Sequence, residues 1–462
     1  MKKGFILVVN PWIHDFAAYD LWSAPLGLLT IAAVLRKNGF TLRYIDCLDS
    51  SHPDLKGEAS LRLPQRKLDG RGKFPNAIIK KPEALKSIPR NYRRYGISPR
   101  LFREDLGQGE QPDLVMVTSL MTYWYKGVAE TISAVRSVYP SVPVVLGGIY
   151  PTLCPDHAAR YSGADIIVTG HNFDSIGAVL KECCGRSLES APNPNDLDSM
   201  PYPALDLMRS PSFLPLLTSR GCPYSCTYCA SSFLCEKFLV RDPLKIMEEV
   251  IYWHSEKDIA NVCIYDDAFL ADSAYRAIPF MRAILQANLP INFHCPNGLH
   301  LREITGEIAN LLFRCRFSTI RFGFESALGK RQAATGGKVS TEELKEAVAA
   351  LKRAGYEGQA IGVYLLCGLP GQEAEEIKEG ILLIQRLGAR PILAEYSPIP
   401  HTRLWDEAIK ASVYNLQDEP LHHNNSLLPC RSESLSLETY QHLKMLTREP
   451  MNTCATAGES VD

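Results

Sequence analysis

The sequence predicts an α/β protein built from two successive domains with parallel sheets, and three observations predict it. Short apolar runs of strand length alternate with amphipathic helical segments over residues 1–186. The alternation stops at 187–210, a segment rich in Pro, Asn, Asp and Ser, and then restarts and continues to about residue 400. Strand, helix and strand in this order imply parallel strands joined by right-handed crossovers.

This pattern divides the chain of 462 residues into four parts. We predict a doubly wound, Rossmann-like domain at 1–186, a linker at 187–210 and a second domain of βα units at 211–400. The remainder, 401–462, is predicted to be an extension that is mostly helical or irregular, and we expect its last dozen residues to be frayed.

The composition excludes several classes of protein. Lys and Arg number 50 against 51 Asp and Glu, so the chain as a whole favours neither nucleic acid nor a membrane surface as a partner. No stretch approaches the ~20 apolar residues of a spanning helix, and the first apolar run, 4–9, is too short for a signal peptide. Fourteen cysteines without a secretory signal indicate free or metal-bound thiols in a reducing compartment. We therefore expect a cytoplasmic protein.

Small residues follow the predicted strands of the first domain. The strands at 113–119, 142–148 and 164–170 end in residues with a small or absent side chain: Ser119, Gly147, Gly148 and Gly170. Ligands of doubly wound sheets bind at the carboxyl ends of the strands. Glycine lets a ligand approach the backbone and a hydroxyl can bond a phosphate or sugar, although a glycine after a strand also simply makes a turn.

The second domain opens with three cysteines in one short loop, GCPYSCTYC at 221–229. Cys222, Cys226 and Cys229 have the spacing C-x3-C-x2-C, and three thiolates so placed can hold three irons of a [4Fe–4S] cluster and leave the fourth iron open. Tyr228 is an aromatic residue that could lie against a purine. The alternatives are a structural zinc site, which requires a fourth ligand that no second cysteine or histidine pair supplies, and three unrelated core cysteines.

The loop, with Ser-Arg-Gly before its first cysteine and Pro223 after it, closely resembles the signature of the radical S-adenosylmethionine (SAM) enzymes. The resemblance implies that 211–400 is the partial (β/α)6 barrel of that superfamily. The first domain is similar to the cobalamin-binding domain fused ahead of many of these enzymes. It departs from that pattern at DCLDSSHPD, 46–54, which does not supply the D-x-H-x-x-G motif. Cobalamin would then bind without a protein histidine on cobalt, or the domain is a vestige.

The same resemblance assigns further residues. Glu325 and Ser326 of GFES, and Gly368 and Gly371 of GLPGQ, match segments that contact SAM, while Ser119, Gly147, Gly148 and Gly170 become cobalamin contacts. Asp266, Asp267 and Phe269 match a D-D-x-F pattern, for which helix capping or a salt bridge is an equal alternative to cofactor or substrate contact. The sequence assigns no catalytic side chain, and Cys295 is more typical of a core residue than of a substrate contact.

A strongly basic interval, 51–110, interrupts the first domain. Between Lys56 and Arg103 there are fourteen Lys or Arg and only three acids, with Phe74, Tyr92, Tyr95 and Phe102 interleaved. A long segment without structure of its own is usually functional or disordered. Three interpretations stay open: a basic lid over the anionic tail of cobalamin or over an acidic substrate, a solvated surface insertion, and a surface for single-stranded RNA.

The resemblance implies an enzyme whose [4Fe–4S] cluster reductively cleaves SAM to a 5′-deoxyadenosyl radical and which, with cobalamin, methylates an unactivated carbon of an unknown substrate. One alternative is a cobalamin-dependent cyclase or rearrangement enzyme without methyl transfer. Another, of a different class, is a non-catalytic corrinoid or iron–sulfur sensor. The expected partners are the substrate and a low-potential electron donor such as flavodoxin or ferredoxin, with neither membrane nor nucleic acid.

Overall fold

The computed structural model describes residues 4–449, so the end of the chain that we expected to be frayed lies outside the described residues. Its strands are β1 (Phe5–Asn10), β2 (Ile13–Asp15), β3 (Thr41–Asp46), β4 (Asn76–Ile78), β5 (Arg93–Tyr95), β6 (Leu114–Val117), β7 (Val144–Leu146), β8 (Ile166–Ile167), β9 (Leu214–Leu216), β10 (Ser219–Arg220), β11 (Leu239–Val240), β12 (Asn261–Ile264), β13 (Asn292–His294), β14 (Leu299–His300), β15 (Phe317–Glu325), β16 (Ile361–Cys367) and β17 (Arg390–Glu395).

Its helices are α1 (Leu26–Lys37), α2 (Pro99–Gly107), α3 (Tyr125–Val138), α4 (Ile149–Leu153), α5 (Pro155–Tyr161), α6 (Phe173–Cys184), α7 (Ser231–Leu234), α8 (Pro243–Lys257), α9 (Ala277–Ala287), α10 (Gly306–Arg314), α11 (Gly329–Ala334), α12 (Thr341–Ala354), α13 (Ala374–Arg386), α14 (Trp405–Ala411) and α15 (Leu437–Leu446). Among the residues that the structure describes, no helix is both long and apolar enough to cross a membrane.

The first domain is a five-stranded parallel sheet with strand order β3-β1-β6-β7-β8. Both faces of β1 are buried, because Leu7 and Val9 pack with α2 and α3 while Ile6 and Val8 pack with α1 and α6. Because both faces of such a strand are buried, its consecutive residues are all apolar, and the sequence shows it as a continuous apolar run. The strand order reverses between β1 and β6, and this switch point is where doubly wound sheets bind ligands.

The second domain is a six-stranded parallel sheet in the order β9-β12-β13-β15-β16-β17, with the short β14 also paired to β15. Helices α8, α9, α10, α12 and α13 cover its outer face. Aromatic side chains fill the layer between strands and helices, where Phe293 and Phe317 stack with ring centroids 5.2 Å apart. This arrangement is a partial (β/α)6 barrel, and the predicted α/β fold class is confirmed.

The basic interval 51–110 is ordered, and its description as a segment without structure of its own was wrong. It contributes β4 and β5 to a three-stranded antiparallel sheet with β2, and it contains α2. Phe74, Tyr92, Tyr95 and Phe102 are all buried, so none of them is available to stack on a nucleic-acid base. The aromatic residues that were interleaved with basic ones in the sequence are the core of the insertion.

Many of the basic residues in this insertion have acidic partners. Arg66 pairs with Asp20 at 2.5 Å, Arg94 with Glu130 at 2.7 Å, and Arg71 with Asp69 at 2.5 Å. Two of these partners, Asp20 and Glu130, come from outside the insertion, so part of its excess of basic residues is neutralised by other segments.

The C-terminal part of the chain returns to the first domain. Asn424 Nδ2 donates to Asp15 Oδ1 at 2.8 Å, and Tyr125 Oη donates to Glu419 Oε1 at 3.1 Å. The segment between the two sheets makes two short 3-10 turns, Leu197–Ser199 and Leu205–Leu207, and the Ala204 N–H donates to Leu29 O in α1. Both segments therefore tie the two sheets together. The predicted boundaries of the four parts stay a prediction.

Phe102→Ala should destabilise the protein by about 3–5 kcal/mol, because this completely buried ring contacts Trp12 at 4.9 Å between centroids and its removal leaves a cavity. Leu68→Ala is the matched control in the same insertion, since Leu68 is fully exposed. Urea unfolding monitored by circular dichroism measures both. Equal midpoints for the two variants would show that the insertion is not part of the core.

Candidate active site

The loop with the three cysteines leaves the carboxyl end of β9 and is fixed there by a buried carboxylate. Asp266, just after β12, accepts hydrogen bonds from Thr218 N at 2.7 Å and from Ser219 Oγ at 2.6 Å. The oxygen that accepts from Ser219, Oδ2, also pairs with Arg276 Nη1 at 3.0 Å, and the side chains of Asp266 and Arg276 are almost completely buried. The first aspartate of the D-D-x-F pattern is thus a salt bridge, and Phe269 packs in the core of the barrel.

The loop itself is held between two neighbouring segments. A Cβ at Gly221, where φ is +83°, would lie 2.5 Å from Lys237 O, so only glycine fits there. On the other side, Thr227 N donates to Thr335 O at 3.1 Å, and a Cβ on Gly336 would lie 3.1 Å from Cys226 Cα. This double packing determines the path of the backbone from Cys222 to Cys229.

The three thiols are partly buried, and Cys229 is near enough to both others to interact with them electrostatically. Burial raises the pKa of Cys222 to about 11, so a cationic metal centre is needed to keep it as the thiolate. Within residues 4–449, no three His, Cys, Asp or Glu side chains converge closely enough to hold a single ion. Three cysteine thiols on one loop are the donor set that binds three irons of a [4Fe–4S] cluster, whereas a structural zinc site takes four protein ligands.

A second acidic group, Asp267, lies beside this loop. Ser231 donates its N–H to Cys229 Sγ at 3.5 Å and its hydroxyl to Asp267 Oδ2 at 2.9 Å. The second aspartate of the D-D-x-F pattern is therefore linked through one serine to the third cysteine. Unlike Asp266, it borders an open cavity, which is described below.

Glu325 lies at the carboxyl end of β15, facing the loop. Its φ of +62° is unusual for a residue with a side chain, and the carboxylate accepts a hydrogen bond from Tyr228 Oη at 2.7 Å. Lys338 Nζ lies 3.9 Å from the same oxygen. The structure thus brings Tyr228 and Glu325 together. Lys338 was missed by the sequence analysis, and the only signal for it is the preceding Gly336-Gly337 pair, which marks a turn.

Ser326, Gly368 and Gly371 lie at the carboxyl ends of β15 and β16, where hydrogen bonds link Ser326 to Gly371 through two side chains and a separate one closes the turn at Gly368. Ser326 Oγ donates to Glu376 Oε1 at 2.6 Å, which also pairs with Arg331 at 3.2 Å. Arg331 donates to Gly371 O at 2.8 Å, and Gly368 N donates to the side chain of Gln372 at 2.8 Å. The Ser326 hydroxyl is therefore used within the protein. In the turns at Ser326 and at Gly368–Gly371, the backbone groups are therefore the ones that can contact a ligand.

A cavity of about 510 Å³ lies between the two sheets. All four small residues predicted at the strand ends of the first domain line it: Ser119, Gly147, Gly148 and Gly170. A Cβ on Gly148, where φ is +101°, would lie 2.3 Å from Ser119 O, so this edge requires glycine. The opposite wall includes Gly221, Ser231, Cys235 and Asp267, which belong to or flank the cysteine loop. The cavity thus reaches from the switch point of one sheet to the cysteine loop of the other.

Most of the remaining lining is apolar, and it comes from the start of α1, from the linker, from α6 and from the ends of β6 and β7. An apolar wall of this kind can pack against the face of a large, flat ligand, and the glycines at its edge let the polar rim of that ligand approach the backbone. His52, the histidine of the segment 46–54, lies elsewhere and pairs with Asp105 at 3.3 Å. His171 and Arg220 are among the polar lining residues that the sequence analysis missed, and the Arg220 Nε is buried without a hydrogen-bond partner.

Two family models match the chain. The B12 binding domain matches residues 104–180, and the radical SAM superfamily matches residues 216–384. An uncharacterized methyltransferase of Pyrococcus horikoshii is 26% identical over 64% of this chain and 70% of its own length. The anaerobic magnesium-protoporphyrin IX monomethyl ester cyclase of Cereibacter sphaeroides is 23% identical over 64% of this chain, and the chain spans only 53% of that relative.

A solved structure with the same fold is that of the radical SAM methyltransferase TsrM of Kitasatospora setae, in complex with tryptophan substrate and a SAM analogue. The TM-score is 0.63 at 16% identity, over 89% of this chain and 77% of that one. At this identity the likeness shows that the two proteins share their fold.

Asp266→Ala should destabilise the protein by about 3–5 kcal/mol, because it leaves the buried Arg276 guanidinium without its counter-charge. The matched control is Asp206→Ala, which breaks an exposed ion pair with Arg36 and should cost about 1 kcal/mol at most. Thermal unfolding of both variants measures the difference. A similar small loss in both would mean that Asp266 does not fix the start of the loop.

The cysteine loop, the partial barrel and the doubly wound domain all agree with the two family models. The radical SAM domain implies a [4Fe–4S] cluster and SAM as cofactors, and the B12 binding domain implies cobalamin. The resemblance on which the sequence analysis relied is confirmed. The chain is a radical SAM enzyme with a B12 binding domain ahead of its radical SAM domain, and it belongs to the cobalamin-binding radical SAM family.

Proposed function

We propose that this enzyme transfers a methyl group from SAM, by way of cobalamin, to an unactivated carbon atom of its substrate. The observation that carries the proposal is the single cavity that joins the predicted cobalamin contacts of the first domain to the cysteine loop of the second. A methyl carrier has to be close to the place where the substrate is activated, and this cavity provides that proximity. The methyltransferase of Pyrococcus horikoshii supports the same choice by its name.

In this proposal Cys222, Cys226 and Cys229 would hold the [4Fe–4S] cluster through three of its irons. When bound, the cluster and SAM supply the radical that removes a hydrogen atom from the substrate, and cobalamin supplies the methyl group. Tyr228, Glu325 and the backbone of the Ser326, Gly368 and Gly371 turns position SAM. The buried Tyr228–Glu325 hydrogen bond keeps that carboxylate oriented toward the cysteine loop.

Ser119, Gly147, Gly148 and Gly170 are proposed to contact cobalamin on the opposite side of the cavity. The apolar lining keeps water away from reactive intermediates, which is what radical chemistry requires of the protein. No histidine of a D-x-H-x-x-G motif is present, so cobalamin binds in this proposal without that ligand on cobalt. The electron donor is a low-potential protein such as flavodoxin or ferredoxin, and the site of action is the cytoplasm.

A second candidate function is ring formation or rearrangement with the same cofactors and without methyl transfer. The cyclase of Cereibacter sphaeroides, which matches 64% of this chain, favours it by its name. A non-catalytic corrinoid or iron–sulfur sensor is a third candidate, from a different class. The intact cysteine loop, packed on both sides and open toward the cavity, argues against pure sensing.

The function is tested with SAM whose methyl group carries deuterium. The anaerobically purified protein, reconstituted with cluster and cobalamin and supplied with a low-potential reductant, should cleave SAM and pass the labelled methyl group to the corrinoid, as seen by mass spectrometry. Cys226→Ala should abolish SAM cleavage. Cys295→Ala is the control, because this cysteine is buried in the core of the barrel and its loss leaves the loop unchanged.

SAM cleavage without any label in the corrinoid or in a product would favour the cyclase or rearrangement function. Cleavage that persists in Cys226→Ala would contradict the assignment of the cluster. Binding of both cofactors without any cleavage in the unmodified protein would leave the sensor as the best candidate.

Gly148→Ala should lower the corrinoid content per chain at least tenfold, because the added methyl group collides with Ser119 O and displaces the edge of the cavity. Gly177→Ala, in α6, is the matched control, since a Cβ there meets nothing within 4 Å. The corrinoid is quantified by absorbance after anaerobic reconstitution, with iron content as the internal reference. An equal corrinoid content in both variants would place cobalamin elsewhere.

A further inference from the structure

The interior of the barrel, which we call the bore, is open along β15, β16 and β17. Ile320, Phe322 and Val363 point to the helices and are completely buried. Since side chains alternate along a strand, Arg321, Gly323 and Tyr364 point into the bore, and these three are only partly buried. The bore is therefore solvent-accessible directly below Glu325, which ends the same face of β15.

Two arginines lie in one layer of this bore, on either side of a glycine. Arg321 of β15 pairs in register with Gly362 of β16, and Gly362 pairs with Arg390 of β17. A Cβ on Gly362 would lie 2.8 Å from both Cδ and Nη1 of Arg321 and 2.9 Å from Ile392 Cδ1. The missing side chain of Gly362 is what lets the Arg321 guanidinium extend across the layer toward Arg390.

In the described part of the chain neither guanidinium faces an acidic side chain, and the polar side chain beside Arg321 is that of Tyr364. Among residues 4–449, neither Arg321 nor Arg390 forms an ion pair, and the Arg390 Nε is buried without any hydrogen-bond partner. The Arg321 Nη1 donates to its neighbour's carbonyl, Ile320 O, at 2.7 Å. Burial, together with the like charges of Arg390 and Arg71, lowers the pKa of Arg321. Unpaired cations that repel one another in a half-buried layer cost stability unless an anion joins them.

The basic insertion contributes to this layer. Arg71 lies over the ring of Trp22, with its guanidinium carbon 4.6 Å from the ring centroid. Trp22 in turn stacks on His294 of β13 at 4.0 Å and donates its indole N–H to Asp69 O at 2.8 Å. The insertion thus reaches the bore from the side of β13 and places a third guanidinium near Arg321. Unlike the other two, Arg71 is neutralised locally by Asp69.

We propose that Arg321 and Arg390 bind an oxyanion of the substrate, a carboxylate or a phosphoryl group, inside the bore. A guanidinium group binds a carboxylate or a phosphoryl group through paired hydrogen bonds. Arg321 and Arg390, which lie on either side of Gly362, can supply such donors to one anion. Arg321 and Glu325 are four residues apart on one strand, which is at most roughly 13 Å at ~3.3 Å per residue, because the strand register shifts between Gly323 and Glu325. The substrate is therefore an elongated acid whose anionic end lies deep in the bore and whose reacting carbon lies near Glu325.

This inference rests on the proposed function, because it takes the space below Glu325 as the substrate site. Its test does not depend on turnover. The reconstituted holoenzyme is treated with phenylglyoxal, which modifies accessible arginines, with and without inorganic phosphate or succinate, and the modified residues are identified by mass spectrometry. Arg321 and Arg390 should both be protected at least threefold by one of the two anions. Exposed Arg314, at the end of α10, is the internal control and should be modified at the same rate throughout.

Better protection by phosphate indicates a phosphoryl substrate, and better protection by succinate indicates a carboxylate. Arg321→Gln should reduce the protection of Arg390 at least threefold, and the iron content per chain of the variant checks that it still folds and holds the cluster. Modification of Arg321 and Arg390 that neither anion slows would overturn the proposal, and so would equal protection of Arg314. If the unmodified enzyme does not cleave SAM at all, the proposed function is contradicted. The protection of Arg321 and Arg390 can still be measured in that case.

Discussion

The buried carboxylate of Asp266 determines the direction in which the chain leaves β9, and the site depends on that direction. It binds the backbone and side chains at 218–219 on one side and the Arg276 guanidinium on the other. A buried ion pair is rarely worth more than a well-packed apolar pair, so its value here is geometric. The loop that carries the three cysteines therefore lies between the bore and the first domain. The cavity and the Glu325 contact both follow from it.

The sheets could be predicted from the sequence because their strands are covered on both faces. The β1 strand reads as an uninterrupted apolar run, and the helix that follows it has a clear apolar side. The four small residues that line the cavity were also predictable, because the carboxyl ends of parallel strands meet along one edge. The cysteine loop was identified by spacing alone.

Other parts of the site were not visible in the sequence for a physical reason. Lys338 reaches Glu325 because Gly336 packs against Cys226, which is a contact between loops that are 110 residues apart. Arg321 and Arg390 become neighbours only through the register of β15, β16 and β17. The insertion was misread because its aromatic residues are separated by basic ones, so no apolar periodicity marks its strands. Local patterns predict elements, whereas these features depend on tertiary pairing.

The contact between Asn424 and Asp15 has a consequence for the order in which the protein is made. The two residues are separated by 409 positions, and Asp15 is a buried carboxylate whose pKa is raised by that burial. At a synthesis rate of ~5–20 residues per second, Asp15 waits on the order of 20–80 s for this partner. The last strand of the first sheet, β8, ends at Ile167, whereas the barrel wall of the cavity extends to Asp267, so the sheet is synthesised before that wall. The edge formed by Ser119, Gly147, Gly148 and Gly170 is therefore open to a large ligand before the second domain closes over it.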